Sequence, residues 1–556
     1  GAFNTFDSHS TTEFKQNGFT VSIGNGFLQS VQGTYDTIDR SQDIQDDRLK
    51  ALYGLKAYRS GEKAYDGIQE ARQNAEKSDI GSSFNVTAGF SSSKQKTEAT
   101  ASAATVRGSS LTSSGDINLI ATGSGQTDSI GKAADGDLNI LGSSINGNNV
   151  YLSAARDVNL KAQANTTDSI MKSSGSSYGF GASFSLGKEL GMGYYLEGNK
   201  SSGNSEEHAI NWTETMVTGN TNLSIISGRD TNLIGAQAHG DSINMNVGRN
   251  LNLESLQDRE TYREKNKSAG GSLSYSSAKG VGGKASTYER NIKSNYSSVN
   301  EQTGIFAGDG GFDIYVEGNT DLKGAVIASK ASADKNRLST GTLTFSDITN
   351  RSEYSASSAG ITIEKDIRPK GSPEFGDSKE STTQSAIASE AIEIRSDENK
   401  PADEKTDLSK LSRDTDNAHQ PLDNIFDKVA VSEKLEMREI IVDELVDQVY
   451  KEIERKKVAE EAANEKDVEE AKKEEKVETA EEKIEKKKEE IAQKLVELEG
   501  QLEGINDAQK VQYLLQQMEF NIGQSGVDGD LGVMSTSSLI IFQHRTEGDI
   551  TGTVDQ

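Results

Sequence analysis

The five histidines, His9, His208, His239, His419 and His544, are the side chains best suited to hold a metal or move a proton near neutral pH. They stand far apart in the sequence. No His-x-x-x-His pair sets two ring nitrogens on one helix face, so a zinc site is not expected. Gly175-Ser176-Ser177-Tyr178-Gly179 spells the Gly-x-Ser-x-Gly of a nucleophile elbow. That motif needs a strand before it and a helix after it. Here it leads into a strand-like alternating segment and reads as a turn. Gly308 to Asp313 partly matches a calcium-binding nonapeptide turn. The pattern works in tandem copies, and it occurs once. There is no Gly-x-x-x-x-Gly-Lys-Ser/Thr phosphate loop and no cysteine, which excludes disulfides and thiolate metal sites. Trp212, the sole tryptophan, fits either a stacked interior or an exposed platform for a sugar. These residues predict no catalytic group, no cofactor and no metal, and hence a protein that is not an enzyme.

The chain has 556 residues and a net charge of −27. An acidic balance of this size argues against nucleic acid as a partner, because phosphates require a basic face. Hydrophobic residues make up 33%, and no apolar run approaches the ~18 residues of a membrane helix. The sequence reads as a piece of something longer.

A short phrase recurs through the first two thirds. Gly115-Asp116-Ile117-Asn118-Leu119 is followed by Gly136-Asp137-Leu138-Asn139-Ile140, Arg156-Asp157-Val158-Asn159-Leu160 and Gly219-Asn220-Thr221-Asn222-Leu223. Arg229-Asp230-Thr231-Asn232-Leu233 and Arg249-Asn250-Leu251-Asn252-Leu253 continue it. Gly115 and Gly136 are 21 residues apart, Arg229 and Arg249 are 20. A unit this short cannot bury its apolar side alone and must stack on its neighbours. Leu and Ile at alternate positions point inward, Asn points outward, and Gly or Asp before the strand suits a corner where φ turns positive. A slower period runs beside it. Phe84 to Phe90, Tyr178 to Leu186, and Leu273 with Tyr275 alternate with period two, the mark of half-buried strands. Their spacing is 94 and then 96 residues, measured from Gly81 to Gly175 to Gly271. They are expected to be hairpins projecting from, or laid along, the coils. A strand at Phe19 to Ile23 and a helix near Asp46 to Ala75 precede the repeats.

All four prolines, Pro369, Pro373, Pro401 and Pro421, fall in one stretch. Proline lacks the ladder donor, so this stretch reads as a mobile connector. Beyond it, Ile425, Val429, Leu435, Ile440, Leu445 and Val449 suggest an amphipathic helix. Of residues 451–500, 31 are charged, which excludes a core segment. Glu→Lys pairs four apart favour a solvated helix, each by roughly 0.2–0.5 kcal/mol. Val477, Ile484, Ile491, Leu498 and Ile505 form half of a coiled-coil seam.

The repeats over residues 15–360 resemble the filamentous hemagglutinin family, and within it the late repeat region of contact-dependent growth inhibition exoproteins. Gln302-Thr303-Gly304-Ile305-Phe306-Ala307-Gly308, Leu338 to Ile348, and Asp46-Asp47-Arg48-Leu49-Lys50-Ala51-Leu52-Tyr53 carry the likeness. The resemblance implies a right-handed parallel β-helix. It also implies secretion through an outer-membrane two-partner transporter and display on the surface of a Gram-negative cell, with a target-cell receptor as a further partner. The last residues resemble the small peptidoglycan-binding domain. Val511 to Met518 matches its first helix, Val527-Asp528-Gly529-Asp530-Leu531-Gly532 its loop, Ser538 to Gln543 its second helix, and Gly552 to Asp555 its final turn. Leu531 replaces an aromatic, Ser535 replaces Thr, and the sequence stops soon after Asp555, which puts ligand binding in question more than fold. By this likeness Asp528, Gly529, Leu531, Gly532, Phe542 and Gln543 are the peptidoglycan-binding set. The residues alone favour core and turn roles, with Asp528 as a helix cap rather than a ligand contact.

The expected fold is mainly β. A strand with a helical insert (1–80) precedes the parallel β-helix with hairpin excursions (81–365). A flexible linker (366–423), a long charged helix or weak coiled coil (424–503) and a small three-helix domain (504–556) follow. The expected function is a surface rod of adhesin type presenting a peptidoglycan-binding module, with a C-terminal part in the periplasm. The alternative is the stalk of a contact-dependent growth inhibition toxin whose effector lies beyond these residues.

Overall fold

A strand phrase that buries one side only has to meet another copy of itself, and the computed structural model shows where the copies meet. It describes residues 2–24, 45–46, 48–50, 52–53, 84–129, 131–186, 191–277, 280–388 and 391–471. The chain opens with a hairpin of two long strands, β1 (Ala2–Gly24) and β2 (Phe84–Arg107). A first rung follows, made of β3 (Ser110–Thr112), β4 (Ile117–Ala121) and β5 (Leu138–Leu141). The second rung is β6 (Ser144–Ala154) with β7 (Val158–Lys161). The chain then leaves as a second hairpin, β8 (Gln163–Leu186) and β9 (Gly191–Thr213).

It returns for two more rungs, β10 (Thr215–Ser227) with β11 (Thr231–Ile234), then β12 (Ala236–Val247) with β13 (Leu251–Glu254). A third hairpin is β14 (Asp258–Ser276) with β15 (Gly280–Ser298). Rungs five and six are β16 (Gly304–Lys323), β17 (Val326–Ser329) and β18 (Asn336–Ser346). The fourth hairpin is β19 (Ile348–Ile363) with β20 (Ile367–Thr383), and β21 (Ala386–Ile387) and β22 (Ala391–Ile394) begin the last rung. The ~95-residue period of the sequence is therefore two rungs plus one hairpin.

The rung strands pair in parallel and form a curled sheet of 14 strands, the wall of a β-helix. Identical positions stack in columns. Ile145, Val217, Ala238, Ile305, Ile327 and Ile387 form one column through successive pairings. Ile140, Leu160, Leu233, Leu253 and Leu322 form another. Leu160, Leu233 and Leu322 are fully buried in one continuous core. Outward asparagines form an amide ladder: Asn159 donates to Asn139 at 2.9 Å, Asn232 to Asn159 at 2.9 Å and Asn252 to Asn232 at 2.7 Å.

The aspartates before β5, β7 and β11 have a role that the corner argument missed. Each carboxylate accepts the backbone N–H of the equivalent residue one rung on. Asp157 N–H donates to Asp137 at 3.2 Å, Asp230 N–H to Asp157 at 3.0 Å and Asn250 N–H to Asp230 at 3.2 Å. Arg156 and Arg249 reach back one rung to the same carboxylates, at 2.6 and 2.7 Å. The hydrogen bond from the Arg156 guanidinium holds the Asp137 carboxyl below the usual range. Positive φ belongs to glycines instead. Gly142 (φ 53), Gly235 (φ 61) and Gly324 (φ 56) turn the chain directly from one rung to the next. At alternate rungs this same corner emits a hairpin, so the hairpins emerge in line.

Being in line, they pair. Their strands form a second, antiparallel sheet of eight strands in the order β1-β2-β8-β9-β14-β15-β19-β20. Gly175 to Gly179 lies within β8, paired on both sides, which corrects its reading as a turn. Residues 366–423 are likewise not a connector. They hold β20, β21, β22 and three short 3₁₀ turns. Pro369 and Pro373 are accommodated because β20 pairs only with β19 and its other edge requires no donors. Helix α1 (Lys428–Ala471) then crosses the hairpin sheet. Of the insert helix expected after Asp46, residues 48–50 and 52–53 are helical in the described part. Residues 472–503 of the expected charged helix and the whole of 504–556 lie outside the described residues.

Candidate interaction surface

The potentially reactive residues stay apart. His208 meets Asp168 at 2.6 Å, His239 meets Gln237 at 3.0 Å, and His419 meets the Val299 carbonyl at 2.9 Å. His9 contacts Thr100 at 3.3 Å, and His544 lies outside the described residues. No group of three or more His, Asp or Glu side chains among the described residues is placed to hold a metal ion. Trp212 is half-buried at the base of β9, where its indole N–H donates to the Gln257 carbonyl at 3.0 Å. The residues singled out for peptidoglycan, Asp528, Gly529, Leu531, Gly532, Phe542 and Gln543, lie outside the described residues. What the structure displays is surface.

The hairpin sheet has two unlike faces. On one, α1 lies across the last four strands. Val431 and Leu435 of α1 are buried against Tyr262, Ile292 and Ala356, with Phe375 and Phe426 alongside. Tyr288 donates to Glu439. Arg438 donates to Ser372 at 3.1 Å and stacks over Phe375 at 4.8 Å. Burial raises the hydroxyl pKa of Tyr262 and Tyr288 and lowers that of the Arg438 guanidinium. The far side of α1 receives the segment between β1 and β2. Glu433 accepts the Gln45 and Asp46 backbone N–H groups at 2.6 and 2.8 Å. Leu49 is fully buried beside Met437 and Ile440, and Tyr53 donates to Glu436. These contacts join residues nearly 390 positions apart.

The opposite face is divided along the strands. Nearer the rod it is charged. Glu13 bridges Lys15 and Lys94 at 2.9 and 3.1 Å, and Glu289 bridges Lys265 and Lys267 at 2.9 and 3.0 Å. Hydrogen bonds from these lysines hold both carboxyls down at about 2. Toward the hairpin tips the same face is apolar. Phe19, Phe90, Phe180, Leu196 and Leu273 form one cross-strand row through successive pairings. Phe90 and Phe180 have their ring centroids 5.8 Å apart. Tyr194, Tyr275 and Val281 form the next row. Phe180 is 53% exposed, Leu273 61% and Val281 80%. The alternating pattern was legible in the sequence; that three copies align into one band was not, because alignment depends on the hairpins leaving from one corner. No helix among the described residues is long and apolar enough to cross a membrane.

Comparison with known proteins agrees with this architecture. Residues 86–269 match the hemagglutinin repeat family. Over 430 residues the chain is 35% identical to the tRNA nuclease CdiA of Yersinia mollaretii, covering 76% of this chain and 14% of that protein. It is 34% identical over 450 residues to the deoxyribonuclease CdiA of Dickeya dadantii, covering 77% and 13%. The deoxyribonuclease CdiA of Yersinia pseudotuberculosis is 36% identical over 457 residues, covering 79% and 41%. The chain thus spans a minor part of these relatives' length. No solved structure matches it at a significant level. With rungs, hairpins and sequence in agreement, the repeat region of this chain is a hemagglutinin-repeat region of the filamentous hemagglutinin and contact-dependent growth inhibition type.

Proposed function

We propose that this chain is the stalk of a contact-dependent growth inhibition exoprotein, which carries an effector located elsewhere in a longer protein and is not itself an enzyme. One observation carries the reading. Relatives with similar identity, each over about three quarters of this chain, are named for different activities, a tRNA nuclease in one case and a deoxyribonuclease in another. A region shared by both cannot specify which nucleic acid is cut. The architecture supports this, since stacked rungs supply reach, at ~4.8 Å per rung, rather than a pocket. On this reading the chain is exported by an outer-membrane two-partner transporter, displayed on a Gram-negative cell surface, and brought against a target cell's receptor. The purified chain incubated with tRNA and with duplex DNA is expected to leave both intact. Cleavage above buffer, lost on denaturation, would make it an enzyme and defeat the proposal.

The adhesin reading rests on residues 504–556, whose four ordered motifs resemble a peptidoglycan-binding domain. Within the stalk such a module would grip glycan strands in the periplasm during transfer. Cosedimentation of the chain with purified peptidoglycan tests it: pelleting no greater than for a chain ending at Glu503 would remove the module from the account.

A further inference from the structure

Nine large apolar side chains of β8, β9, β14 and β15 stand on the face that α1 leaves bare, each between 42% and 80% exposed. Together they offer on the order of 900 Å² of apolar surface, taking ~200 Å² for a whole aromatic side chain. The largest patch on a typical monomer is about 300–600 Å², and each partner of a stable complex contributes about 800 Å². Large and small residues alternate along these strands. On this one face Phe90 stands two residues from Ala88, Phe180 from Ala182, and Val281 from Gly283. Gly198, Gly271 and Gly283, with Leu196, Leu273 and Ile363, line a groove of about 580 Å³.

We propose that this face packs against the same face of a second copy of the chain, about a two-fold axis parallel to the rod. The axis lies over Gly89, Gly181, Tyr195, Ser274 and Gly282, which are paired in register across five strands. The argument is complementarity. Such an axis sets each residue opposite the one equally far beyond it on the partner's copy of its own strand. Phe90 falls on Ala88, Phe180 on Ala182, Val281 on Gly283 and Met192 on Gly198, and each contact occurs twice. Large side chains thus enter small positions and the groove, as facing sheets interdigitate ~10 Å apart. Tyr178 meets Phe184, an aromatic pair. An axis two residues nearer the rod sets Phe180 on Tyr178 and Lys200 on Tyr194, and one two residues farther out shortens the overlap. The two rods run parallel, with their hairpin tips overlapping between them. An anionic lipid surface is a poorer occupant, since the chain carries a net charge of −27.

Sedimentation velocity of the 556-residue chain at micromolar concentration tests the packing. A dimer is expected. Ala182→Phe should weaken association about tenfold, because it sets ring on ring at both copies of the contact. Phe180→Ala/Ala182→Phe exchanges the large and small positions and should restore association, with circular dichroism confirming that all variants fold. A monomer at every concentration would overturn the proposal, and flotation of that monomer with phosphatidylcholine vesicles would assign the face to lipid instead. A double exchange that fails to restore association would overturn the register. A dimer indifferent to both Ala182→Phe and Phe180→Asp would place the contact elsewhere and overturn the assignment of the face.

Discussion

The β-helix and the hairpin sheet alternate along one chain, yet they hold together by different means. In the β-helix every strand finds its equivalent one rung away, so like sits on like. Aliphatic columns fill the inside, and Asn and Asp ladders satisfy the outside. In the hairpin sheet the pairing is antiparallel, and among the described residues its one buried cluster lies under α1. One face gains a partial cover from α1, and the other leaves aromatic side chains in water. The β-helix therefore owes its stability to burial and repetition, whereas the sheet offers surface. The carrier role proposed above would use both, a stiff part that spans distance and a part that can make contacts.

That contrast can be broken most severely in the core. Leu233→Ala should cost about 2–5 kcal/mol of stability, because a fully buried leucine leaves a cavity between two neighbours in its column. Leu273→Ala at a hairpin tip should stay within about 0.5 kcal/mol. Chemical denaturation of both variants, side by side, checks the difference. Next in size, Leu435→Ala should loosen α1 by about 2 kcal/mol. Hydrogen exchange should then rise along residues 428–450 and at residues 48–53, while rung amides such as Leu233 stay protected. Spread of exchange into the rungs would show that the two regions are not separable. Asp230→Ala should cost about 1–2 kcal/mol, since it strips partners from the Asn250 N–H and the Arg249 guanidinium.

The smallest effect is a pH dependence where the two regions join. Burial pushes the Glu214 carboxyl up to about 7, with Glu301 and Asp258 adding to the shift. Its folded pKa lies above the unfolded one, so its favourable contribution is complete below about pH 4.5 and is lost as pH rises through 7. Thermal unfolding of Glu214→Gln should therefore show a flatter dependence between those values than the parent chain. An unchanged slope would assign the dependence to other groups.

The rungs were readable because a period of about 20 residues repeats Leu and Ile in phase, and phase is preserved in sequence. The hairpins were readable as strands for the same reason at period two. Their assembly into one sheet was not, because it follows from Gly142, Gly235 and Gly324 turning alternate corners so that all hairpins leave in line. The Asp137-to-Asp230 ladder was also hidden. An aspartate before a strand looks like a turn residue until its carboxylate is seen accepting from the next rung. The prolines misled, since a sheet edge tolerates them as readily as a linker does. The peptidoglycan-binding set, Asp528 to Gln543, was legible only as resemblance.

The central claim is that this region carries an effector and does not determine what it attacks. The most direct measurement exchanges the segments aligned with residues 84–394 between the tRNA nuclease and deoxyribonuclease relatives, and identifies the nucleic acid cut in inhibited target cells. The account predicts that each chimera cuts what its remaining sequence specifies. A nucleic-acid target that moved with the exchanged segment would contradict it.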